Sequence, residues 1–424
     1  MVKPGIPNVL LIALVVFAFS AFSNCVFARA NCVFAQDSSE QKNAGQKNAA
    51  LQNSPKVQKD EPTLRNFDPT PVLKVAKTDL KRAKFQVVDV HGHFAGRFKG
   101  DRDALEKYIK TMDANNIVIT VSLDAKLGNE EEHFKFIEGY EKRIAVFARI
   151  DFKGKGNEKQ PETWACNQVG FVRTCVEQLK AAKKKGIAGV KFTKGFGLRI
   201  KNRDGSLTRI DDPRFDPFWK MCGELELPVL IHTADPSAFF KPIDANNERW
   251  EELSRHPDWS FFGDNFPSRE SLLEARNRVI ARHPNTTFIG AHFGGNSEDL
   301  KTVGKWLDKY PNLVVEFASR INELGRQPYS ARKFIIKYQD RILFGTDGPW
   351  PELRLTYYWR FLETYDEYFQ YSEKSPQPQG MWRIYGIELP DDVLKKVYSE
   401  NALRIAPGIR DVYSKAKGNS ARKK

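Results

Sequence analysis

The sequence predicts an α/β protein of the (β/α)8 TIM-barrel class, with long loops at the C-terminal face of the strands. From residue 85 onward, short β-branched runs alternate with longer amphipathic segments, which is typical of parallel strands joined by helices. Several of the runs are continuously apolar, as expected for strands covered on both faces. A doubly wound open sheet is the alternative that this pattern leaves open. The predicted strands are residues 86–90, 117–122, 144–150, 189–192, 228–231, 287–291, 313–317 and 341–345.

The segments between these strands have the apolar periodicity of helices. The predicted helices are residues 102–115, 130–140, 171–185, 215–226, 269–283, 299–310 and 331–338, with two more near 353–371 and 391–403. Long connections follow strands three, four and five, where loop variation sets the specificity of a barrel enzyme. One of them, residues 236–267, is rich in Phe and Trp. We expect it to form either a lid or an apolar wall over the active site, or else a self-packed surface excursion.

The ends of the chain differ in composition from the barrel. Lys3 precedes an apolar run of 14 residues, and small-residue cleavage sites follow at residues 28–30 and 33–35, so residues 1–35 are predicted to be a signal peptide. Such a run covers about 21 Å of helix, short of the roughly 30 Å of a bilayer core. Residues 36–80 are predicted to be a disordered polar linker, residues 81–408 the barrel, and residues 409–424 a basic tail. We therefore expect an exported protein, periplasmic or secreted, without stable membrane insertion after cleavage.

The formal net charge of +14 raises the question of a nucleic-acid partner. Basic residues are spread along the chain and form no recognisable nucleic-acid module, so we predict a small-molecule substrate and no nucleic acid. Oligomeric state stays open. Cys166 and Cys175 either pair in an oxidising compartment or remain isolated thiols. The histidines at positions 133, 256 and 283 are predicted to lie at the surface.

Four of the seven histidines fall at the C-terminal ends of predicted strands. His91 and His93 close strand one, His232 ends strand five, His292 ends strand six, and Asp347 follows strand eight. These strand ends converge on one face of a TIM barrel, where active sites lie. Alternate residues of an extended segment share a face, so two imidazoles of strand one can reach one ion. Imidazole and carboxylate ligands suit zinc, manganese or iron, and the pattern predicts a divalent metal site.

Several cations also lie near strand ends, namely Lys191, Arg149, Arg199 and Arg320. Arginine can grip a carboxylate bidentately, so together they predict a carboxylate-bearing substrate. Trp350, just beyond the strand-eight aspartate, is expected to shape the mouth of the pocket. We assign Lys191, Arg149, Arg320 and Trp350 to substrate binding.

The motifs resemble those of the amidohydrolase superfamily, in the amidohydrolase-related branch also called amidohydrolase family 2. The resemblance spans about residues 85–405 and rests on DVHGH at 89–93, IH at 231–232, AHFG at 291–294, FGTD at 344–347 and ENA at 400–402. It implies a barrel with one or two divalent ions and a metal-activated water as nucleophile. By this resemblance His91, His93, His232 and Asp347 are metal ligands, and His292 is an acid/base or polarising group.

The chemistry of these residue types is consistent with hydrolysis. A divalent ion lowers the pKa of water from 15.7 to about 7. Asp347 can take the proton, and His292 can hydrogen-bond the nucleophile or a developing oxyanion. The leading hypothesis is a metal-dependent hydrolase; a metal-dependent carboxy-lyase and a non-catalytic metal-binding or ligand-binding barrel are the alternatives. We expect one zinc ion, with manganese and iron open, and an unmodified Lys191 instead of a carbamoylated lysine bridging two ions.

Overall fold

The computed structural model describes residues 62–63, 66–67 and 69–420, and the chain divides into two units, residues 1–67 and 68–424. In the first unit, the carbonyl oxygen of Thr63 accepts hydrogen bonds from the backbone amides of Asn66 and Phe67. The predicted signal peptide and most of the predicted linker lie outside the described residues. The second unit holds the barrel and is described below.

The second unit is built around an eight-stranded sheet whose strands pair in parallel in chain order, β1 to β8. The first and last strands meet, because the Val90 amide donates to the Phe344 carbonyl at 3.0 Å and a parallel bridge joins Gly92 to Gly348. The TIM-barrel prediction is thereby confirmed, and the open-sheet alternative is wrong. The strands are β1 Val87–Gly92, β2 Ile117–Lys126, β3 Ile144–Arg149, β4 Gly189–Phe192, β5 Val229–Ile231, β6 Phe288–Gly290, β7 Leu313–Glu316 and β8 Ile342–Leu343.

Helices connect the strands where the apolar periodicity predicted them. Asp101, Ser268 and Asp299 begin three of these helices, each accepting a hydrogen bond from a first-turn amide, as N-caps do. The longer helices are Arg102–Ala114, Glu130–Phe136, Phe171–Lys185, Asp216–Glu224, Arg269–Arg282, Leu300–Lys309, Pro328–Lys337, Glu352–Glu363 and Pro407–Ser420. Shorter helical segments are Phe94–Phe98, Gly195–Leu198, Trp250–Leu253, Ala291–Gly294, Ile321–Leu324, Asp391–Lys395 and Asn401–Ile405, the last two joined by a π turn, Lys396–Glu400.

The C-terminal segment differs from the predicted basic tail. Residues 407–420 form a helix, and Ile409 is fully buried in the cluster of apolar side chains that fills the barrel interior. Val412 and Tyr413 pack against the same cluster, so positions i, i+3 and i+4 make one apolar face. A Cβ on Gly408 would lie 2.6 Å from the Cα of Ala188, so the helix docks closely on the barrel. The lysine content of this segment concealed that face in the sequence.

The end of the predicted linker is likewise attached to the barrel. The backbone amide and Oγ1 of Thr78 each donate to the Asp366 carboxylate at 2.7 Å. Leu80 packs against the main hydrophobic cluster between strands and helices. The ordered unit therefore begins before residue 81, because these two side chains provide anchors that the polar composition of residues 36–80 did not indicate.

The remaining sequence predictions are resolved by burial. Cys166, Cys175 and Cys222 are buried free thiols. His256 is exposed, and His283 is half-buried with Nε2 3.0 Å from Asp216 Oδ1. His133 is only 7% exposed, so its predicted surface position is wrong. Among the helices of the described residues, none combines the length and the hydropathy needed to cross a bilayer.

Candidate metal centre and substrate cavity

Three donor atoms of the predicted ligands lie within one small cluster. Nε2 of His91 and Nε2 of His93 are 3.3 Å apart, and Oδ1 of Asp347 lies 3.5 Å from the first and 3.6 Å from the second. A tetrahedral ion with ligand distances of about 2.0–2.1 Å needs donor atoms roughly 3.3–3.4 Å apart. The spacing of these three atoms therefore fits one divalent ion.

A carboxylate lies behind each histidine of this cluster. Nδ1 of His91 is 2.9 Å from Oε1 of Glu316, and Nδ1 of His93 is 3.0 Å from Oδ1 of Asp124. A hydrogen bond from Nδ1 to a carboxylate fixes the tautomer and leaves the Nε2 lone pair for a metal. The sequence analysis missed Glu316 and Asp124. In the sequence they are marked only by being the one acidic residue of a strand, Glu316 at the end of β7 and Asp124 near the end of β2.

Glu316 is held by several donors at once. It is fully buried, and besides His91 it accepts hydrogen bonds from the backbone amides of His292, at 2.9 Å, and Ala318. Burial raises the pKa of Glu316 to about 7. A Cβ on Gly345 would lie 2.5 Å from Glu316 Oε2, so only glycine leaves this carboxylate its place. Gly345, just after β8, therefore helps to keep Glu316 in contact with His91.

Asp89 ties strand one to the segment after strand eight. Its carboxylate accepts hydrogen bonds from the amides of His91 and Thr346, each at 3.1 Å, and from Thr346 Oγ1 at 2.5 Å. Burial raises its pKa to about 7. These bonds fix the relative position of the β1 histidines and Asp347, which follows Thr346 directly. Asp89 thus holds the candidate ligands of the first strand close to the candidate ligand that follows the eighth strand.

His292 and His232 continue the cluster on the other side of His91. The ring centroid of His292 lies 4.9 Å from that of His91 and 4.3 Å from that of His232. Nδ1 of His292 is 2.8 Å from the Ala318 carbonyl oxygen. Nε2 of His232 has no hydrogen-bond partner among the described residues, and Oδ1 of Asp235 lies 3.5 Å away. This buried imidazole nitrogen is free of a hydrogen bond and so available as a further ligand, but it faces the Asp235 carboxylate, and His232 joins neither three-residue donor group of the described chain.

Burial keeps these histidines neutral. It lowers the pKa of His232 to about 4 and holds the pKa values of His91 and His292 well below their usual range. Imidazole binds a metal only in its neutral form. His91, His232 and His292 are therefore in the protonation state that metal binding requires of an imidazole at neutral pH.

Of the four residues predicted to bind substrate, Lys191 and Arg149 do not line the cavity that Arg320 and Trp350 line. Lys191 is buried, its Nζ is 3.3 Å from His91 Nε2, and burial lowers its pKa to about 8. Lys191 therefore lies directly beside one of the candidate metal ligands. Arg149 is in register with Lys191 on the neighbouring strand, with Nη1 3.7 Å from Oδ1 of Asp124, and it lines a separate cavity.

A cavity of about 510 Å³ opens beside His232, His292 and Asp347. Arg320 and Trp350 line it as the sequence analysis expected, and Phe239 and Trp259 of the aromatic loop add apolar wall. Two arginines that the sequence analysis missed stack on Trp350. The guanidinium carbon of Arg97 lies 3.8 Å from the ring centroid and that of Arg354 lies 5.1 Å from it. Seven basic residues of the lining outnumber four acidic ones, so the cavity favours an anion.

The fold and the site together define a class of protein. A parallel eight-stranded barrel carries imidazole and carboxylate donors at the C-terminal ends of its strands, beside an open cavity. That is the arrangement of a metal-dependent TIM-barrel enzyme.

The chain belongs to the amidohydrolase family, whose model matches residues 163–406. His232, His292 and Asp347 fall within the matched range, and His91 and His93 precede it. The protein is accordingly an enzyme of the metal-dependent amidohydrolase type.

Solved structures similar to this chain come from several organisms. An uncharacterised TIM-barrel protein from Bordetella bronchiseptica is 16% identical with a TM-score of 0.47, over 76% of this chain and 99% of that one. A 2,6-dihydroxybenzoate decarboxylase from Rhizobium is 16% identical with a TM-score of 0.43, over 76% and 98%. A 4-oxalomesaconate hydratase from Rhodopseudomonas palustris is 13% identical with a TM-score of 0.46, over 79% and 100%. A comparison with curated proteins gives no match.

Proposed function

We propose that the protein is a hydrolase that uses a metal-activated water to cleave a small, carboxylate-bearing substrate. The observation that carries this proposal is the triangle of His91 Nε2, His93 Nε2 and Asp347 Oδ1, with carboxylates behind both imidazoles. Asp347 at one corner of this triangle also lines the cationic cavity. The donor triangle and the cavity therefore share Asp347, and the proposed ligand His232 lines the cavity as well.

His91, His93, His232 and Asp347 would hold the ion, and zinc is our first assignment because imidazole and carboxylate donors suit it. Manganese and iron accept the same donors. The bound ion would lower the pKa of water to about 7, making a nucleophile available at neutral pH.

In this proposal, Asp347 and His292 take up and transfer the proton of the nucleophilic water. Ser319 Oγ donates to Oδ2 of Asp347 at 3.2 Å, which orients the carboxylate. Nδ1 of His292 keeps its proton because it donates to the Ala318 carbonyl, so Nε2 carries the lone pair in the neutral ring. Neutral His292 therefore accepts a proton or hydrogen bond from the nucleophile, and it donates only after protonation. Of its two predicted roles, this favours contact with the nucleophile over contact with an oxyanion.

Arg320 is our assignment for the substrate carboxylate. One of its N–H groups donates at 2.7 Å to the carbonyl oxygen of Ser319, the residue whose hydroxyl orients Asp347. A guanidinium has five N–H donors, so a pair remains for a bidentate carboxylate. Arg97 and Arg354 on the faces of Trp350 add positive charge across the same cavity.

The test is a screen of zinc-loaded protein against esters, lactones and amides, each with and without a carboxylate, in ¹⁸O-labelled water. We expect solvent oxygen in the product, and at least tenfold higher kcat/KM for the carboxylate-bearing member of each pair. Arg320→Gln should remove that preference, whereas Arg278→Gln, which breaks an ion pair with Asp211 on the outer surface, should not. Release of carbon dioxide without incorporation of solvent oxygen would establish the carboxy-lyase alternative. Zinc binding without turnover of any compound would leave a binding protein.

A further inference from the structure

A second cavity, with a lining separate from that of the substrate cavity, lies beside Asp124. Its volume is about 550 Å³, and it is lined by the ends of β2 and β3, the turn after Phe94–Phe98 and the helix Glu130–Phe136. Asp124, which holds His93, forms part of its wall. No residue lines both cavities among those described.

The charge of this second cavity is unbalanced. Its basic residues are Lys99, Arg102, Lys126, Lys135 and Arg149, and its acidic residues are Asp124 and Glu132. Both carboxylates already have partners, because Asp124 accepts from His93 and from the Ala95 amide, and Glu132 accepts from Asn129. Within the part of the chain that the structure describes, the three lysines form no ion pair. The cavity therefore carries an excess of positive charge.

Arg149 is the cation best placed to bind a ligand. Its Nη1 lies 3.7 Å from Asp124 Oδ1, beyond hydrogen-bonding distance, and its guanidinium makes no hydrogen bond to any described residue. Arg102, by contrast, donates to the carbonyl oxygens of Phe136 and Glu138. A guanidinium with free donors, partly exposed at the wall of a cavity, is suited to bidentate recognition of an oxyanion.

His133 supplies a second, independent indication of a ligand. The side chain lines the same cavity and is 93% buried, yet Nε2 has no hydrogen-bond partner among the described residues. A buried imidazole N–H without an acceptor is costly, and an oxyanion offers the missing acceptor. The neutral ring can place its proton on Nε2, so no charge has to be buried.

We propose that this second cavity is a binding site for an oxyanion, a carboxylate or phosphate group, held by Arg149 and His133 and attracted by the surrounding lysines. The ring of Phe136 on the wall provides an apolar surface for an organic carboxylate. The proposal does not depend on which reaction the metal centre performs.

The experiment is calorimetric titration of zinc-loaded protein with inorganic phosphate and, separately, with benzoate. We expect saturable binding of at least one of the two, weakened at least tenfold in Arg149→Gln and weakened also in His133→Asn. Arg149→Lys, which keeps the charge but loses the fork, should bind with intermediate affinity. Arg278→Gln, which removes an arginine that lines neither of the two cavities, is the matched control and should leave the affinity within twofold of the wild type. Tighter phosphate than benzoate assigns the site to a phosphate group, and the reverse order to an aryl carboxylate.

A spectroscopic measurement distinguishes this site from anion binding at the zinc ion. In protein labelled with ¹⁵N-histidine, the ligand should shift the Nε2 resonance that is lost in His133→Asn. Affinity unchanged in Arg149→Gln, an equal loss in Arg278→Gln, or an unshifted His133 resonance at saturation would each overturn the proposal. Among the described residues Arg149 makes no side-chain hydrogen bond, and its contact with Asp124 is a partly exposed ion pair at 3.7 Å, so its substitution should shift the thermal unfolding midpoint only slightly and keep the result interpretable.

Discussion

The substitution Glu316→Gln tests the support behind His91. The Glu316 carboxylate accepts hydrogen bonds from His91 Nδ1 and the His292 amide on one oxygen, and from the Ala318 amide on the other. The glutamine amide has one acceptor oxygen and one donor nitrogen, so in either orientation its NH₂ faces at least one N–H group. One buried donor is then unsatisfied, which costs about 1–3 kcal/mol in the free energy of unfolding.

The larger consequence is for the metal. Loss of a carboxylate behind a histidine ligand lowers metal affinity about 10- to 100-fold, which corresponds to about 1.4–2.7 kcal/mol. We expect this loss in competition titrations of metal-free protein with a chromophoric zinc chelator. The titrations belong at pH 8, because the pKa of Glu316 is raised to about 7 and the carboxylate must be ionised for the comparison.

Glu363→Gln is the matched control. Glu363 accepts hydrogen bonds from the Lys84 amide and from Tyr398, next to the residues that precede β1, so the same chemical change falls at the opposite end of the barrel. Both bonds end on Oε1, which the glutamine carbonyl oxygen can replace, so this variant should change neither the zinc affinity nor, by more than about 1 kcal/mol, the free energy of unfolding. If Glu316→Gln bound zinc within threefold of the wild type, the carboxylate would not support the ligand and the reasoning would be refuted.

Three further predictions concern pH, the glycine beside Glu316, and export. Metal-free protein should lose stability as the pH falls from 7 to 4, because the pKa of His232 is about 4 in the folded state against 6.5 in the unfolded chain, and the unfolded state therefore binds the extra proton. The contribution of this residue to the free energy of unfolding, about 3 kcal/mol, disappears over that range. Denaturant titrations of the wild type and His232→Gln check this, and equal pH dependence of the two would contradict it. Gly345→Ala should weaken zinc binding at least tenfold, because the added methyl group displaces the Glu316 carboxylate. Gly96→Ala is the control, since Gly96 has open space around it, and it should not weaken binding. Equal zinc affinities of the two variants in the chelator titration would show that the close approach of Gly345 to Glu316 is unimportant. In a bacterial host that exports the protein, intact-mass measurement should find a chain beginning near residue 36, and an unprocessed Met1 in the exported fraction would disprove the signal peptide.

The barrel was predictable because its signal is local. Each β-branched run and each amphipathic segment carries its own period, and the N-cap residues Asp101, Ser268 and Asp299 stand at the sequence positions where helices begin. The C-terminal helix was missed because only Ile409, Val412 and Tyr413 mark its apolar face among many polar residues. Its burial depends on the open end of the barrel, which no local pattern describes.

In the site, too, some residues were predictable from the sequence and others were not. His91, His93 and Asp347 were predictable because chemistry-bearing residues at strand ends must converge in a closed barrel. Glu316 and Asp124 were not, since a lone acid in a strand acquires its role only when a histidine from another strand faces it. Arg97 and Arg354 come together only around Trp350, and Arg149 faces a different cavity from Arg320 although both follow strand ends. Which way such a side chain points is a tertiary property.

Metal stoichiometry tests the central claim most directly. Elemental analysis of the purified protein after dialysis should give one divalent ion per chain, and the ion should be lost in His91→Ala and in Asp347→Ala while the circular dichroism spectrum remains that of the wild type. Lys191→Ala should retain one ion, because an unmodified ammonium at 3.3 Å from His91 Nε2 is not a ligand. No bound ion in the wild type, even after addition of zinc or manganese, would contradict the account. So would two ions per chain that are lost in Lys191→Ala and restored by a short carboxylic acid.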